Sequence, residues 1–368
     1  MALVLAACSS NSPSSTLEPA TPTGKVDAEA DVSVFVTRLV AVAKSCDTKK
    51  VAALWDDQGL VRLIEQRAPS KQAVLRVVST LVPIGANKFC AWVGGANEVR
   101  FLRAHVVQGE PRAVLRKISD TSFGYYEVRV KQGVGRQVRL LDVYSHNNGT
   151  WISDEMADTL MAPSDVKDGA TIGRVNALEK EGNHVDALAA LDSLPEPVRN
   201  TRSIQDLRVA IAGRISLDVY GQASAERVRR LPDYKPTPFA AMNAATLRHD
   251  YDEALHQLDV LDTDVGGDPF LDAIRASVLL LRQGSGDLEA AAVRAERAAQ
   301  AEPKLLVTQL TKLGIAMALS RWAIALATLE GIEINLGVTL AEDQLQRLPN
   351  AAGLFALPAY VEWRKRHP

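Results

Sequence analysis

The chain has 368 residues, 47% of them hydrophobic and 23% charged, with a formal net charge of −2. This is the balance of an ordinary folded protein, and it gives no electrostatic reason to expect a nucleic acid or an anionic membrane surface as partner. No apolar run reaches the roughly 18 residues that a membrane-crossing helix requires.

The first residues read Met1-Ala2-Leu3-Val4-Leu5-Ala6-Ala7-Cys8, followed by Ser9-Ser10. Small residues ahead of a cysteine let a peptidase approach the backbone and leave a thiol free to take a lipid. The segment resembles the lipobox of bacterial lipoproteins, though it lacks the basic region and longer apolar stretch of a full signal peptide. The resemblance implies a truncated signal over residues 1–8 and lipidation of Cys8. With Ser9 after the cysteine, it also implies a periplasm-facing lipoprotein of the bacterial cell envelope, sorted to the outer membrane. An accidental match in a cytoplasmic chain is the other reading. Residues 9–30 are rich in Ser, Pro, Thr, Ala and Gly and poor in large apolar side chains, so ordering entropy outweighs burial. They read as a disordered tether with a reach of about 25 Å. With Cys8 lipidated, Cys46 and Cys90 remain as a pair that one disulfide would join in an oxidising compartment; two buried thiols are the alternative.

From about residue 31 to 165 the pattern is that of an α+β domain. Val34, Phe35, Leu39, Val40 and Val42 fit an amphipathic helix, and helical spacing continues over 51–64 and 71–81 before breaking at Val82-Pro83-Ile84-Gly85. Strand-like runs follow at 99–107, 113–118, 125–130 and 138–144. Tyr126, Val128 and Val130 alternate with Glu127, Arg129 and Lys131, the period of a half-solvated strand. Asn148-Gly149 marks a hairpin turn, since both residues tolerate positive φ.

Helices followed by an antiparallel meander resemble the cone-shaped fold of nuclear transport factor 2 and its relatives, in which a curved sheet wraps helices around a pocket. The stretch from Arg139 to Tyr144 and on through Trp151 to Asp154 is similar to bacterial lipoprotein-like proteins in which such a domain precedes tetratricopeptide-type repeats. The cone resemblance implies an isomerase- or dehydratase-like alternative. In that reading Asp142 or His105 is the base and Tyr126, with Tyr125 or Tyr144, stabilises an oxyanion. The arginines at 100, 103, 112, 116 and 129 read as a solvated outer face of the sheet or an anion-tolerant one. There is no dinucleotide or phosphate-binding glycine loop, no His-Glu-x-x-His, no Cys-x-x-Cys and no Gly-x-Ser-x-Gly, so no metal or cofactor is expected.

From about 170 to 368 the sequence repeats. Ala187, Ala223, Ala254, Ala291 and Ala325 stand 36, 31, 37 and 34 residues apart, the period of stacked helical hairpins. The hairpins are placed at 171–193, 203–231, 238–261, 269–301 and 305–329. Their turns fall near Gly182-Asn183-His184, Tyr220-Gly221, His249-Asp250, 283–286 and Ser320-Arg321. Gly286-Asp287-Leu288-Glu289-Ala290-Ala291 with Pro303 resembles the core of a tetratricopeptide repeat, in degenerate form. Leu345, Leu348, Leu354, Phe355, Leu357, Tyr360 and Trp363 read as a terminal cap. Such arrays are binding surfaces, so the expected function is that of a lipid-anchored adaptor or scaffold. It would hold a protein or peptide partner through its helices, with Arg208, Arg248 and Arg275 as candidate contacts. A small-molecule ligand in the cone pocket is the alternative.

Overall fold

The fold is described from a computed structural model over residues 28–366, apart from 46, 68–70, 94–95, 97, 120–122, 133–136, 162–165 and 232–233. Cys8, the tether through residue 27 and Cys46 lie outside the described residues. The chain is an α+β region followed by helices, and it divides into two compact units. The first holds the sheet and the described helices through Leu247; the second begins at Arg248.

The first unit opens with α1 (Ala28–Lys44), α2 (Thr48–Ala52), α3 (Asp57–Glu65) and α4 (Lys71–Val93). α1 buries Val32, Val36, Leu39 and Ala43, one stripe at steps of three and four. The single helix expected over 51–64 is two. Between them the backbone at Trp55 bridges to Leu140: Asp56 N donates to Leu140 O at 2.7 Å and Leu140 N to Leu54 O at 2.9 Å. The break expected at 82–85 is absent, and α4 runs through Pro83. Proline removes one helical hydrogen bond, but Leu81, Val82, Ala86, Phe89, Cys90 and Val93 hold the helix by burying a continuous face. Gly85 belongs to that contact, because a Cβ there would stand 3.2 Å from the Trp55 ring.

Among the described residues the sheet has the order β1-β2-β3-β4-β5, antiparallel throughout. The strands are β1 (Glu98–Val107), β2 (Glu110–Ile118), β3 (Phe123–Gln132), β4 (Val138–Ser145) and β5 (Thr150–Trp151). The turn between the last two carries Gly149 at φ +71°, as Asn148-Gly149 predicts. One sheet face packs Ala113, Leu115, Val128, Val130, Leu140 and Val143 against the helices. The other face is not half-solvated as the alternation of β3 suggests: Arg116 is fully buried and Glu127 nearly so. In β4 the register shifts so that Arg129 pairs with Asp142 and Val130 with Leu140, which leaves Leu141 as an extra residue. This bulge docks α3. Trp55 Nε1 donates to Leu141 O at 3.2 Å, and Gly59 leaves room for the Leu141 side chain, which a Cβ would meet at 2.4 Å.

Helix α5 (Ile152–Met161) leaves β5 directly and is followed by α6 (Val166–Lys180), α7 (His184–Asp192), α8 (Glu196–Arg199), α9 (Arg202–Ile215), α10 (Leu217–Arg230) and α11 (Pro238–Leu247). The turn of the second hairpin lies at Ser216, not at 220–221. Ser216 is extended (φ −166°), and its hydroxyl caps α10 by accepting from Val219 N at 3.2 Å. Two of these helices grip the sheet's 146–149 turn. Arg202 donates to Asn148 O at 2.9 Å and Gly149 O at 2.6 Å. Thr237 Oγ1 donates to Asn147 O at 3.4 Å, and Phe239 meets Phe123 edge-on at 5.0 Å.

The second unit comprises α12 (Tyr251–Val265), α13 (Pro269–Arg282), α14 (Asp287–Ala301), α15 (Leu306–Ala318) and α16 (Trp322–Leu336), then α17 (Glu342–Leu345), α18 (Ala351–Phe355) and α19 (Pro358–Arg366). Neighbours in sequence pack on one another, and α13 also packs on α15. That is the pattern of stacked hairpins. Leu345, Leu354, Tyr360 and Trp363 are buried in the terminal cluster with Ala325 and Leu329. The five periodic alanines are all buried, each in the second helix of its pair. Ala291 is fully buried, in one cluster with Ala276, Leu279, Ala295 and Ile315. Ala291→Leu is therefore expected to cost about 1–3 kcal/mol by overpacking, while Ala290→Leu, one position round on the exposed side, changes stability by less than about 0.5 kcal/mol. Urea unfolding followed by circular dichroism measures both; equal effects would refute the close crossing.

Candidate functional site

The side chains with chemical potential in the first unit are held apart. Tyr126 faces the helices, stacks on Trp92 at 5.5 Å and donates to Trp92 O at 3.3 Å. Burial raises its pKa. His105 lies on the other face with the Glu127 network. Asp142 is fully buried and accepts from Ser153 Oγ at 2.5 Å, Ser153 N at 3.2 Å and Val143 N at 2.9 Å. It thus caps the start of α5 from a neighbouring strand, where a carboxylate also suits the positive end of the helix dipole. Burial pushes its pKa up to about 6 against the hydrogen bonds from Ser153 and Val143.

The Glu127 network is a polar layer on the covered sheet face. Arg112 donates to Glu127 at 2.7 Å and to Glu110 at 3.3 Å, and Arg129 lies 3.1 Å from Glu110. Both guanidinium groups stand over the Trp151 ring, at 4.2 Å for Arg129 and 5.4 Å for Arg112. His105 and His146 approach the two Glu127 oxygens at 3.8 and 3.9 Å. Burial pulls His146 down to about 4, so it is neutral at pH 7. Arg112 and Arg129 each have a carboxylate already, and the layer holds itself together. Cys90 is buried in the helical core. Among the described residues no group of three or more His, Cys, Asp or Glu side chains is arranged to hold a metal.

The predicted partner-contact arginines fall into two kinds. Arg208 pairs with Asp192, tying α9 to α7. Arg275 is buried and reaches Asp259 and Asp262 at 2.9 Å and Asp272 at 3.6 Å, joining α13 to α12. Both work inside the chain. Arg248 sits in the exposed turn before α12.

An open concavity lies within the second unit. A cleft of about 520 Å³ opens between α13, α15 and the 347–350 turn. Leu280, Leu281, Leu288, Leu310, Ile315, Leu348 and Pro349 supply most of its surface, with Ser277, Gln283, Thr311, Arg347 and Asn350 among them. Its volume and apolar lining fall within the range of ligand and peptide sites. The rim at 283–286 is fixed by Asp287, which accepts from Gly284 N at 2.7 Å and from Arg282 at 2.7 and 2.8 Å. These Arg282 hydrogen bonds hold the Asp287 carboxyl below its usual range. Leu271, Ile274 and Val278, an apolar stripe at steps of three and four along α13, are buried, whereas Leu281, the next member, is 38% exposed and lines the cleft. The signal was present in the sequence as an apolar stripe continuing past the buried core. Compared with known proteins, the chain matches no family model, and a search of curated proteins finds no significant match.

The burial of Asp142 has a pH signature. Its folded-state value of about 6 lies above the ordinary 3.8, so the folded chain holds this proton more tightly than the unfolded one. The stability it contributes is present below about pH 4 and is lost as pH rises through about 6. Asp142→Asn should flatten that part of the stability–pH curve in urea melts, and an unaltered slope would remove Asp142 as its source.

Proposed function

We propose that this protein is an anchored adaptor whose second, helical unit binds a protein or peptide partner in the α13–α15 cleft. The observation that carries the reading is the cleft itself, an apolar concavity left open on the first helices of two successive hairpins. Exposed apolar concavities of this kind mark interaction sites. The periodic buried alanines and the packing of α13 on both α14 and α15 support reading the hairpins as degenerate tetratricopeptide-like repeats. Helices followed by a sequentially ordered antiparallel sheet support a cone-like first unit related to nuclear transport factor 2. A catalytic role for that unit gains no support, since Asp142, Tyr126 and His105 are engaged at three separate places.

Envelope attachment through Cys8 rests on Leu5-Ala6-Ala7-Cys8 and the tether composition after it. No described helix is long and apolar enough to cross a membrane, so on this reading the lipid supplies the attachment. Metabolic labelling with palmitate should mark the chain and be lost in Cys8→Ser; label retained in that variant would dismiss the anchor.

The adaptor reading is tested by photo-crosslinking in cells. A benzophenone side chain at position 281, inside the cleft, should give a discrete protein adduct. The same group at Ile334, which is 80% exposed and outside the cleft lining, should not. The same adduct pattern from both positions, or none from 281, overturns it.

A further inference from the structure

We infer that the segment seated in the α13–α15 cleft is an amphipathic helix, docked by its apolar face and carrying a carboxylate that meets Arg347. The inference rests on the adaptor reading and adds the conformation and charge of the partner.

The first argument is hydrogen bonding. The two hydroxyls lining the cleft have their protons committed elsewhere. Ser277 Oγ donates to Ala273 O at 3.0 Å and Thr311 Oγ1 to Val307 O at 2.9 Å, each back into its own helix. Asn350 Nδ2 donates to Ser320 Oγ at 3.0 Å, and Gly284 N is taken by Asp287. An extended segment brings one N–H and one C=O per residue. Along a lining this rich in leucine it would bury several of them without partners. A helix satisfies its backbone internally and needs only apolar side chains at i, i+3, i+4 and i+7 to fill a leucine-lined groove.

The second argument is charge. The cleft lining contains no Asp or Glu, and Arg347 is its ionic side chain. Arg347 is about half exposed, and its pairing with Asp343, itself 67% exposed, is long at 3.5 Å. An exposed pair of this kind is worth little, so Arg347 can exchange Asp343 for an incoming carboxylate at small cost. By contrast, the buried or shared arginines of the same unit, Arg275 and Arg282, are each held by two or more carboxylates.

The test uses the full chain and four fluorescent probes, read by anisotropy. The first is a designed helical peptide with leucines at i, i+3, i+4 and i+7 and one glutamate at its end. The second is an isomer of the same composition interrupted by proline, the third has lysine for that glutamate, and the fourth is a labelled palmitate. The helical peptide should bind at least about tenfold more tightly than the proline isomer, which corresponds to about 1.4 kcal/mol. Leu281→Asp should weaken it by about tenfold or more, while the circular dichroism spectrum stays that of the wild type. Arg347→Glu should weaken the glutamate peptide and strengthen the lysine peptide. Equal binding of the proline isomer, binding of palmitate alone, binding of no peptide, or an Arg347→Glu effect blind to the peptide's charge overturns the inference. An adduct at position 281 that maps to an extended partner segment would retain the adaptor and reject the helix; absence of any adduct rejects the adaptor itself.

Discussion

The organisation of the helical regions depends on how closely two helices can cross. The second helix of each pair carries a buried alanine, and within a single unit Ala187, Ala223, Ala291 and Ala325 share a cluster with the first helix of their pair. Three of them, Ala187, Ala254 and Ala325, donate the first helical hydrogen bond of their helix, to Asn183, Asp250 and Arg321 at 3.0 Å. In these three the small residue sits one turn beyond the cap. In the second unit, Leu281 at the end of α13 and Leu288 near the start of α14 flank the turn of the pair that buries Ala291, and both line the open cleft.

The first unit is organised by a different device, an irregularity in β4. One extra residue, Leu141, turns its carbonyl to Trp55 and its side chain to Gly59, which fixes the junction of α2 and α3. The next residue, Asp142, then lies where it can cap α5 through Ser153. From there the turn at 146–149 is held by Arg202 of α9 and Thr237 ahead of α11. A single chain of contacts thus links the early helices, the sheet and the later hairpins of this unit. This explains why its compact body extends to Leu247 and does not end with the sheet.

Much of this was legible in the sequence where a pattern has a local cause. The strands carry apolar residues at period two, Gly149 and Gly182 stand at positive φ where turns were expected, and the alanine period marks the hairpins. What escaped was set by tertiary contacts. Pro83 reads as a helix stop, yet the buried face around it outweighs one lost hydrogen bond. Trp55 reads as part of a helix, yet its backbone pairs with a strand about 85 residues later, a partner no local window contains. Glu127 and Arg129 read as solvent-facing because alternation reports polarity, not exposure. Their burial needs the partners Arg112, Glu110 and Trp151, which belong to other strands. The cleft was half visible: the α13 stripe extends to Leu281, but only the fold shows that no described residue of the second unit closes over it.

Arginine makes the same point about function. A sequence with many arginines on repeat helices invites the view that they face a partner, and Arg208 and Arg275 read that way from the sequence alone. Both prove to be bound within the chain, Arg275 by three aspartates from two helices. Burying a guanidinium without such company is costly, and removing one member of a buried set leaves the others uncompensated. These residues are therefore fixed in place and poorly suited to exchange partners. Recognition is better served by groups whose present contacts are weak, as with Arg347 and its distant, exposed Asp343. In a self-paired scaffold of this kind, the charges that hold the fold and the surface that meets a partner are sorted apart: strong ion pairs lie between helices, and the open cleft is left apolar with one loosely held cation beside it.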